Sequence, residues 1–252
     1  MPANAYDDAR RAEAYAVLEF PATYYLAFRD LPAIIAANVS GRCAVDFGCG
    51  AGRSSTFLKK LGFEVTGIDI SPSMIALARK ADPDGSYRLI ADGDFSGLPQ
   101  RSFDLVLCAF TFDNIAGERR RAALLRGLGA LLSTNGRIIL VGAAPELYTH
   151  EWASFTSSGF PQNRQARSGD AVQIVIKDVQ DRRPVVDYLW SHEDYLRLFT
   201  AAGVDVLECR RPLGRQDEPH DWQAELTIAP WLIYVLRSAS ARAARGRGAT
   251  GG

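Results

Sequence analysis

An α/β chain, with a parallel sheet covered by helices on both faces, is what this sequence predicts. Three observations lead there. Short apolar runs alternate with helix-forming segments over residues 43–142, the rhythm of repeated strand–helix–strand units. The runs are continuously apolar rather than alternating, as strands buried on both faces must be. The first run ends in "VDFGCGAGR" (residues 45–53), with glycines at every second position, where a strand should hand over to a helix.

The elements follow in order. Residues 10–39 mix Ala, Tyr, Phe and Leu with charges and read as helices interrupted at Pro21 and Pro32. "RCAVDFG" is a strand, and "SSTFLKKLG" is a helix closed by Gly62. "EVTGIDI" is the second strand. "SPSMIALARK" is a helix with Ser71 at its cap and Pro72 in its first turn. "YRLIADGD" and "FDLVLCAF" are the third and fourth strands, and "RRAALLRGLGALL" is a helix stopped by "STNG". "RIILVGA" is the fifth strand. The pattern then changes: "AVQIVIKDV" and "RPVVDYLW" flank a polar "QDR" and predict an antiparallel hairpin. "SHEDYLRLFTAAG" is a helix with a capping pair at Ser191 and Asp194 and a terminal Gly203. "VDVLECRRP" and "PWLIYVLRS" are the last strands. No repeat and no long linker is present, so residues 1–238 are expected to form one domain. Residues 1–39 and an insert over 143–190 would form a lid, and the Ala-, Arg- and Gly-rich residues 239–252 a disordered tail.

Composition narrows the function. The 252 residues carry 29 Lys+Arg and 29 Asp+Glu, so no net charge drives the chain toward nucleic acid or an acidic membrane. The four cysteines form no CxxC pair and sit in or beside apolar runs, which suits reduced core thiols in a cytoplasmic protein. No apolar signal core opens the chain, and no stretch approaches the ~20 apolar residues of a membrane span. No clear set of metal ligands is present, so no metal is expected.

In an open parallel sheet, ligands bind beyond the carboxyl ends of the strands. Glycines in the first turn let backbone N–H groups approach a ligand. Asp46 ends the first strand, and an acid there suits an ammonium rather than a pyrophosphate. Asp69 ends the second, about 20 residues on, where an acid can accept both hydroxyls of a ribose. After the third, Asp94 can accept from an exocyclic amine and Phe95 can lie against a base. The three strand ends together suit an amine-bearing nucleoside. A nicotinamide-dependent oxidoreductase shares this layout. Its GxGxxG fingerprint, however, needs a glycine where this chain has Arg53.

"VDFGCGAGR", "VTGIDIS", "ADGDFSGLP" and "FDLVLCAF", in this order, resemble the successive motifs of class I S-adenosylmethionine-dependent methyltransferases. The resemblance is strong over residues 40–142 and looser beyond. It implies a Rossmann-like, doubly wound, seven-stranded sheet whose last strand, "PWLIYVL", is antiparallel. It implies that Asp46 holds the methionine amine, with Gly48, Cys49 and Gly50 passing beneath the methionine and ribose. Asp69 would take the ribose hydroxyls, with Ile70 and Met74 nearby at the cofactor. Asp94 and the Phe95 N–H would meet the adenine, and Ala109 and Phe110 would lie near the sulfonium. Arg29, among aromatics in "YYLAFRDLP", is a candidate for the methionine carboxylate, against a plain salt bridge to Asp30.

The acceptor is less defined. The Asn/Asp-Pro-Pro-aromatic motif of amino-methylating nucleic-acid enzymes is absent after the fourth strand, so nucleic acid is not expected. "ELYTHEWASF" is dense in aromatic and titratable side chains, which suits a flat, small acceptor. His150 is the first base candidate, with Asp113 and Glu151 as alternatives. Tyr24, Tyr25, Phe112, Tyr148 and Trp152 are candidate acceptor-binding residues. The expected function is methyl transfer to an O or N atom of a small aromatic or heterocyclic molecule, by a monomer or homodimer. A non-catalytic binder of the same cofactor is the other class.

Overall fold

In the computed structural model, which describes residues 8–239, each apolar run becomes a strand and each segment between becomes a helix or loop. The helices α1 (Ala9–Ala16), α2 (Ala22–Arg29) and α3 (Leu31–Asn38) come first. Then follow β1 (Cys43–Phe47), α4 (Arg53–Lys60), β2 (Glu64–Asp69), α5 (Pro72–Ala81), β3 (Ser86–Leu89), β4 (Phe103–Ala109), α6 (Glu118–Leu131) and β5 (Leu132–Ala143). The insert contributes β6 (Phe155–Thr156), β7 (Ala171–Ile176) and β8 (Val185–Tyr188). The chain returns through α7 (His192–Ala202), β9 (Val204–Arg210) and β10 (Trp231–Ser238). The expected tail, beyond residue 239, lies outside the described residues.

Seven strands form one sheet in the order β3-β2-β1-β4-β5-β10-β9. The first five pair in parallel, and β10 slots between β5 and β9, antiparallel to both. The fold is therefore the doubly wound sheet with an antiparallel last strand. Side chains along β10 alternate between two cores: Trp231, Ile233 and Val235 join one, Leu232, Tyr234 and Leu236 the other. The first core also takes α2, α3 and the three-stranded sheet β6-β7-β8. The second takes α6 and α7.

Three boundaries differ from expectation, the first being that β3 stops at Leu89, before the "ADGD" expected to close it. Pro32 does not interrupt a helix but sits in the first turn of α3, where its missing N–H costs nothing; the break falls at Asp30. "STNG" is not a loop: α6 ends at Leu131 and β5 starts at Leu132, which pairs with Phe103 of β4. The hairpin expected in the insert forms, with Ala171 opposite Tyr188 and Ile174 opposite Val185.

The N-terminal helices are pinned to the insert and to β10. Thr23 accepts from the Ser154 N–H (2.9 Å) and donates to buried Glu225 (2.6 Å), and the Trp231 indole donates to the Thr23 carbonyl (2.7 Å). Arg11 of α1 donates to the Pro184 carbonyl and pairs with Asp181 beside β8.

Candidate active site

The turn after β1 is built by backbone constraint. The Gly48 and Cys49 N–H groups both donate to the Ile68 carbonyl, at 2.8 and 3.1 Å. Gly48 has φ +70°, and a Cβ there would lie 2.3 Å from the Thr111 side chain, so no other residue fits. The Gly50 N–H donates to Asp69 Oδ2 (2.9 Å), and Asp69 Oδ1 accepts from the Ser71 N–H (2.8 Å). The second strand end is thereby tied to the first. Asp69 also lines a cavity beside the turn.

Asp46 is fully buried behind this turn. Its Oδ2 accepts from Ser54 (2.7 Å) and Ser55 (2.6 Å) of α4. Its Oδ1 has no hydrogen-bond partner among the described residues. Burial outweighs the two hydroxyl donors and raises its pKa to about 6. Asp46 lines neither the cavity nor the small recess beside it, but its unpaired oxygen lies just behind the turn and lacks a donor, which a methionine ammonium seated on the turn would supply. The residues present therefore fit S-adenosylmethionine.

A cavity of about 680 Å³ opens beside the turn. Gly48, Gly50, Asp69, Ile70, Met74, Ala109 and Phe110 line it, so most of the expected cofactor residues come together. Ile70 is an exposed apolar side chain at this wall, 39% accessible, a surface a flat base would cover. Cys49 lines a small recess that adjoins the cavity through Gly48 and Gly50. Phe110 holds φ +62°, rare for an aromatic residue. Its ring lies 4.7 Å from that of Trp231 and 5.5 Å from that of Tyr24.

Several expectations are corrected. Asp94 and Phe95 do not line the cavity. Asp94 accepts from the Ser96 N–H in its own turn, and Phe95 packs against Phe47 in the core and covers Gly127. Ile90 and Asp92 form that wall instead. Arg29 pairs with Asp30 and Glu218, at 2.9 and 2.8 Å, and turns away from the cavity. His150 is held beside the Thr149 hydroxyl and the Glu146 carbonyl, and Glu151 accepts from Thr156, Ser157 and Ser158. Both shape a loop outside the cavity lining. Among the expected acceptor residues only Tyr24 lines the cavity. Tyr25 packs on His220, and Phe112, Tyr148 and Trp152 are core side chains.

Asp113 does face the cavity. Both its oxygens accept from the Ala143 N–H at 3.1 Å. Sequence reasoning missed its neighbour Asp187, from β8 of the insert, which also lines the cavity and accepts from the Tyr148 hydroxyl (3.1 Å). Burial first, then for Asp113 the charge of Asp187, raises both acids. Fully buried Arg121 of α6 partly compensates them; its guanidinium lies 4.4 Å over the Trp190 ring and donates toward the Tyr195 hydroxyl. The available signal was an acid at an inward position of "PVVDYLW", where Val185 and Asp187 are buried and Val186 is exposed.

Arg53 was read only as a bulky departure from a dinucleotide fingerprint. At the start of α4 it reaches back to the Leu18 and Glu19 carbonyls, and its guanidinium lies 5.1–5.3 Å from the rings of Tyr15, Phe20 and Tyr24. It clasps the N-terminal segment over the glycine turn. Among the described residues no cluster of metal-binding side chains occurs, and no helix is long and apolar enough to cross a membrane.

Residues 45–140 match a family model described as a methyltransferase domain. The chain is similar to an uncharacterized methyltransferase of Bacillus licheniformis, 30% identical over 141 residues, or 54% of this chain and 62% of that protein. It is also similar to the N-demethylindolmycin N-methyltransferase of Streptomyces griseus, 26% identical over 186 residues, or 73% of this chain and 78% of that one. In fold it resembles the crystal structure of an S-adenosylmethionine-dependent methyltransferase from Mesorhizobium loti, with a TM-score of 0.59 and 23% identity over 82% of this chain and 97% of the other. The match thus spans less than two thirds of the Bacillus relative. The seven-stranded sheet with its antiparallel last strand is thus the fold of a solved S-adenosylmethionine-dependent methyltransferase, and residues 45–140 carry the likeness to a methyltransferase domain.

Proposed function

We propose that the chain transfers a methyl group from S-adenosylmethionine to an O or N atom of a small molecule with an aromatic or heterocyclic part. The observation that carries this reading is the free, buried oxygen of Asp46 beside a glycine turn that opens into the cavity. The bound cofactor supplies an electrophilic methyl on a sulfonium. The chain's own residues do the rest. Asp46 receives the methionine ammonium, and Gly48 to Gly50 let the backbone lie close. Asp69, held by the Gly50 and Ser71 N–H groups at the cavity wall, meets the ribose hydroxyls. Ile70 covers the adenine.

Methyl transfer needs alignment and exclusion of water more than charge stabilisation, because charge disappears as the bond forms. The rings of Tyr24, Phe110, Phe155 and Trp231 line one side of the cavity and suit a flat acceptor. The small-molecule relative in Streptomyces griseus supports an acceptor of this size. We further take the chain to act in the cytoplasm, as a monomer or homodimer and with no nucleic-acid partner, and residues 1–39 with 143–190 to act as the lid.

Calorimetric titration with S-adenosylmethionine, S-adenosylhomocysteine and NAD tests the reading. Wild type should bind both adenosyl-sulfur ligands, and Asp69→Ala should weaken them by tenfold or more, about 1.4 kcal/mol. Binding of NAD alone would overturn the reading. Retention of bound S-adenosylmethionine with no S-adenosylhomocysteine formed from any acceptor in a broad screen would favour the non-catalytic class.

A further inference from the structure

Asp113 and Asp187 bring two buried carboxyls to one cavity wall, from the core sheet's rim and from the insert. They are not equivalent. Asp113 is tied to the Ala143 N–H by both oxygens. Asp187 uses only Oδ2, for the Tyr148 hydroxyl; its other oxygen has no hydrogen-bond partner among the described residues. The acids on the rest of the cavity are engaged: Asp69 by backbone N–H groups and Asp92 by Arg120 at 2.8 Å. The same cavity is lined by Tyr24, Phe110, Phe155 and Trp231, with ring centroids 4.7–6.0 Å apart in neighbouring pairs. Aromatic faces and carboxylates in one cavity are the surroundings that recognise an organic ammonium.

We propose that Asp187, backed by Asp113, receives the proton of an amine on the methyl acceptor, so that the acceptor is an amine that enters as its ammonium. This rests on the methyl-transfer reading and narrows it from O or N to N. The ammonium N–H donates to the free oxygen of Asp187 and passes its proton there. The freed nitrogen lone pair then forms the N–C bond as the methyl–sulfur bond breaks and its electron pair stays on sulfur. The product leaves as an N-methyl ammonium, and the proton on Asp187 returns to water as the site opens. In water an ammonium holds its proton about six pH units more firmly than a carboxyl. Burial closes that gap from both sides, lowering the amine and raising the acid. Asp187 raises Asp113 by its like charge, Arg121 tempers both acids and the Tyr148 hydroxyl tempers Asp187, while the Tyr195 hydroxyl accepts from Arg121 beside the pair.

The test is equilibrium binding to the full chain loaded with S-adenosylhomocysteine. Benzylamine, phenethylamine and tryptamine are compared with benzyl alcohol, phenethyl alcohol and tryptophol. At least one amine should bind about tenfold more tightly than its alcohol. The preference should shrink as pH falls and the carboxyl takes its own proton. Asp187→Asn, which can still accept from Tyr148, should abolish the preference and leave S-adenosylhomocysteine affinity unchanged. Amines that bind no better than alcohols, or not at all, overturn the inference, and so does an Asp187→Asn variant that keeps the preference. The wild-type comparison stands if the variant does not fold. Failure of the wild type to take S-adenosylhomocysteine is a separate result that sinks the methyl-transfer reading and this inference with it.

Discussion

Asp46 is a single side chain at which binding and stability oppose each other. Its carboxyl sits fully buried at a pKa of about 6, raised by burial above the ordinary carboxylate value. An acid whose folded pKa is raised costs stability as pH rises from its unfolded value, near 4, through about 6. Asp46→Asn should therefore stabilise the ligand-free fold near neutral pH by about 1–3 kcal/mol, while the Ser54 and Ser55 donors keep an oxygen to meet. The same change should remove most S-adenosylmethionine affinity. Thermal unfolding with and without ligand checks both halves: a variant that is less stable when empty contradicts the argument. In the wild type, S-adenosylmethionine affinity should fall as pH drops below about 6, because the ammonium then meets a neutral acid.

Among the elements, the join between the N-terminal helices and the sheet runs through Arg53. Arg53 starts α4 yet spends its guanidinium on α1, α2 and the segment between them. Each ring contact contributes about 0.5–1 kcal/mol, and the carbonyl hydrogen bonds a similar amount. Arg53→Ala should leave the sheet intact and loosen the cover. Hydrogen exchange across residues 9–29, α1 to α2, should rise at least tenfold while β1, β4 and β5 stay protected. Unchanged exchange in α1 and α2 would show that the contacts of Thr23 and Arg11 suffice to anchor the segment. The element boundaries carry a parallel lesson. "STNG" reads as a turn because Ser, Asn and Gly favour turns locally, but pairing with β4 draws it into β5.

Across the chain, buried Arg121 joins α6 to the insert: it donates to the Ile115 and Tyr188 carbonyls and toward the Tyr195 hydroxyl, and its charge acts on Asp113 and Asp187. Arg121 on α6 faces Asp113 after β4, Asp187 on β8, and Trp190 and Tyr195. Arg121→Met keeps the volume and leaves two carboxyls without their cation. The cost should be about 1–3 kcal/mol near neutral pH, because buried carbonyls lose their donor and the two acids lose a compensating charge. The sign with pH follows. Without Arg121 both acids rise further, so the penalty grows as pH rises through their folded values and shrinks in mild acid. Denaturant unfolding at two pH values reads this, and a loss independent of pH would mean that packing alone was removed.

Local patterns carried much of the molecule. Continuous apolar runs can only be strands buried on both faces, and glycines with positive φ mark a turn wherever they fall, so the parallel sheet and the first turn were readable. So was the placement of Asp46, Asp69 and Ile70, because each ends or follows a strand whose carboxyl end the topology brings to one edge of the sheet. Side-chain aim was not readable. Asp94, His150 and Glu151 are spent on nearby backbone or hydroxyl groups, and no spacing rule separates a carboxylate that caps its own loop from one that faces a ligand. Asp187 and Asp113 lie 74 positions apart in sequence, and only the folding of β8 against the core sheet makes them neighbours. Strand and turn identity comes from periodicity and backbone conformation, which are local. Which polar groups are left over for chemistry depends on which partners arrive from a distance, and that is decided when the layers close.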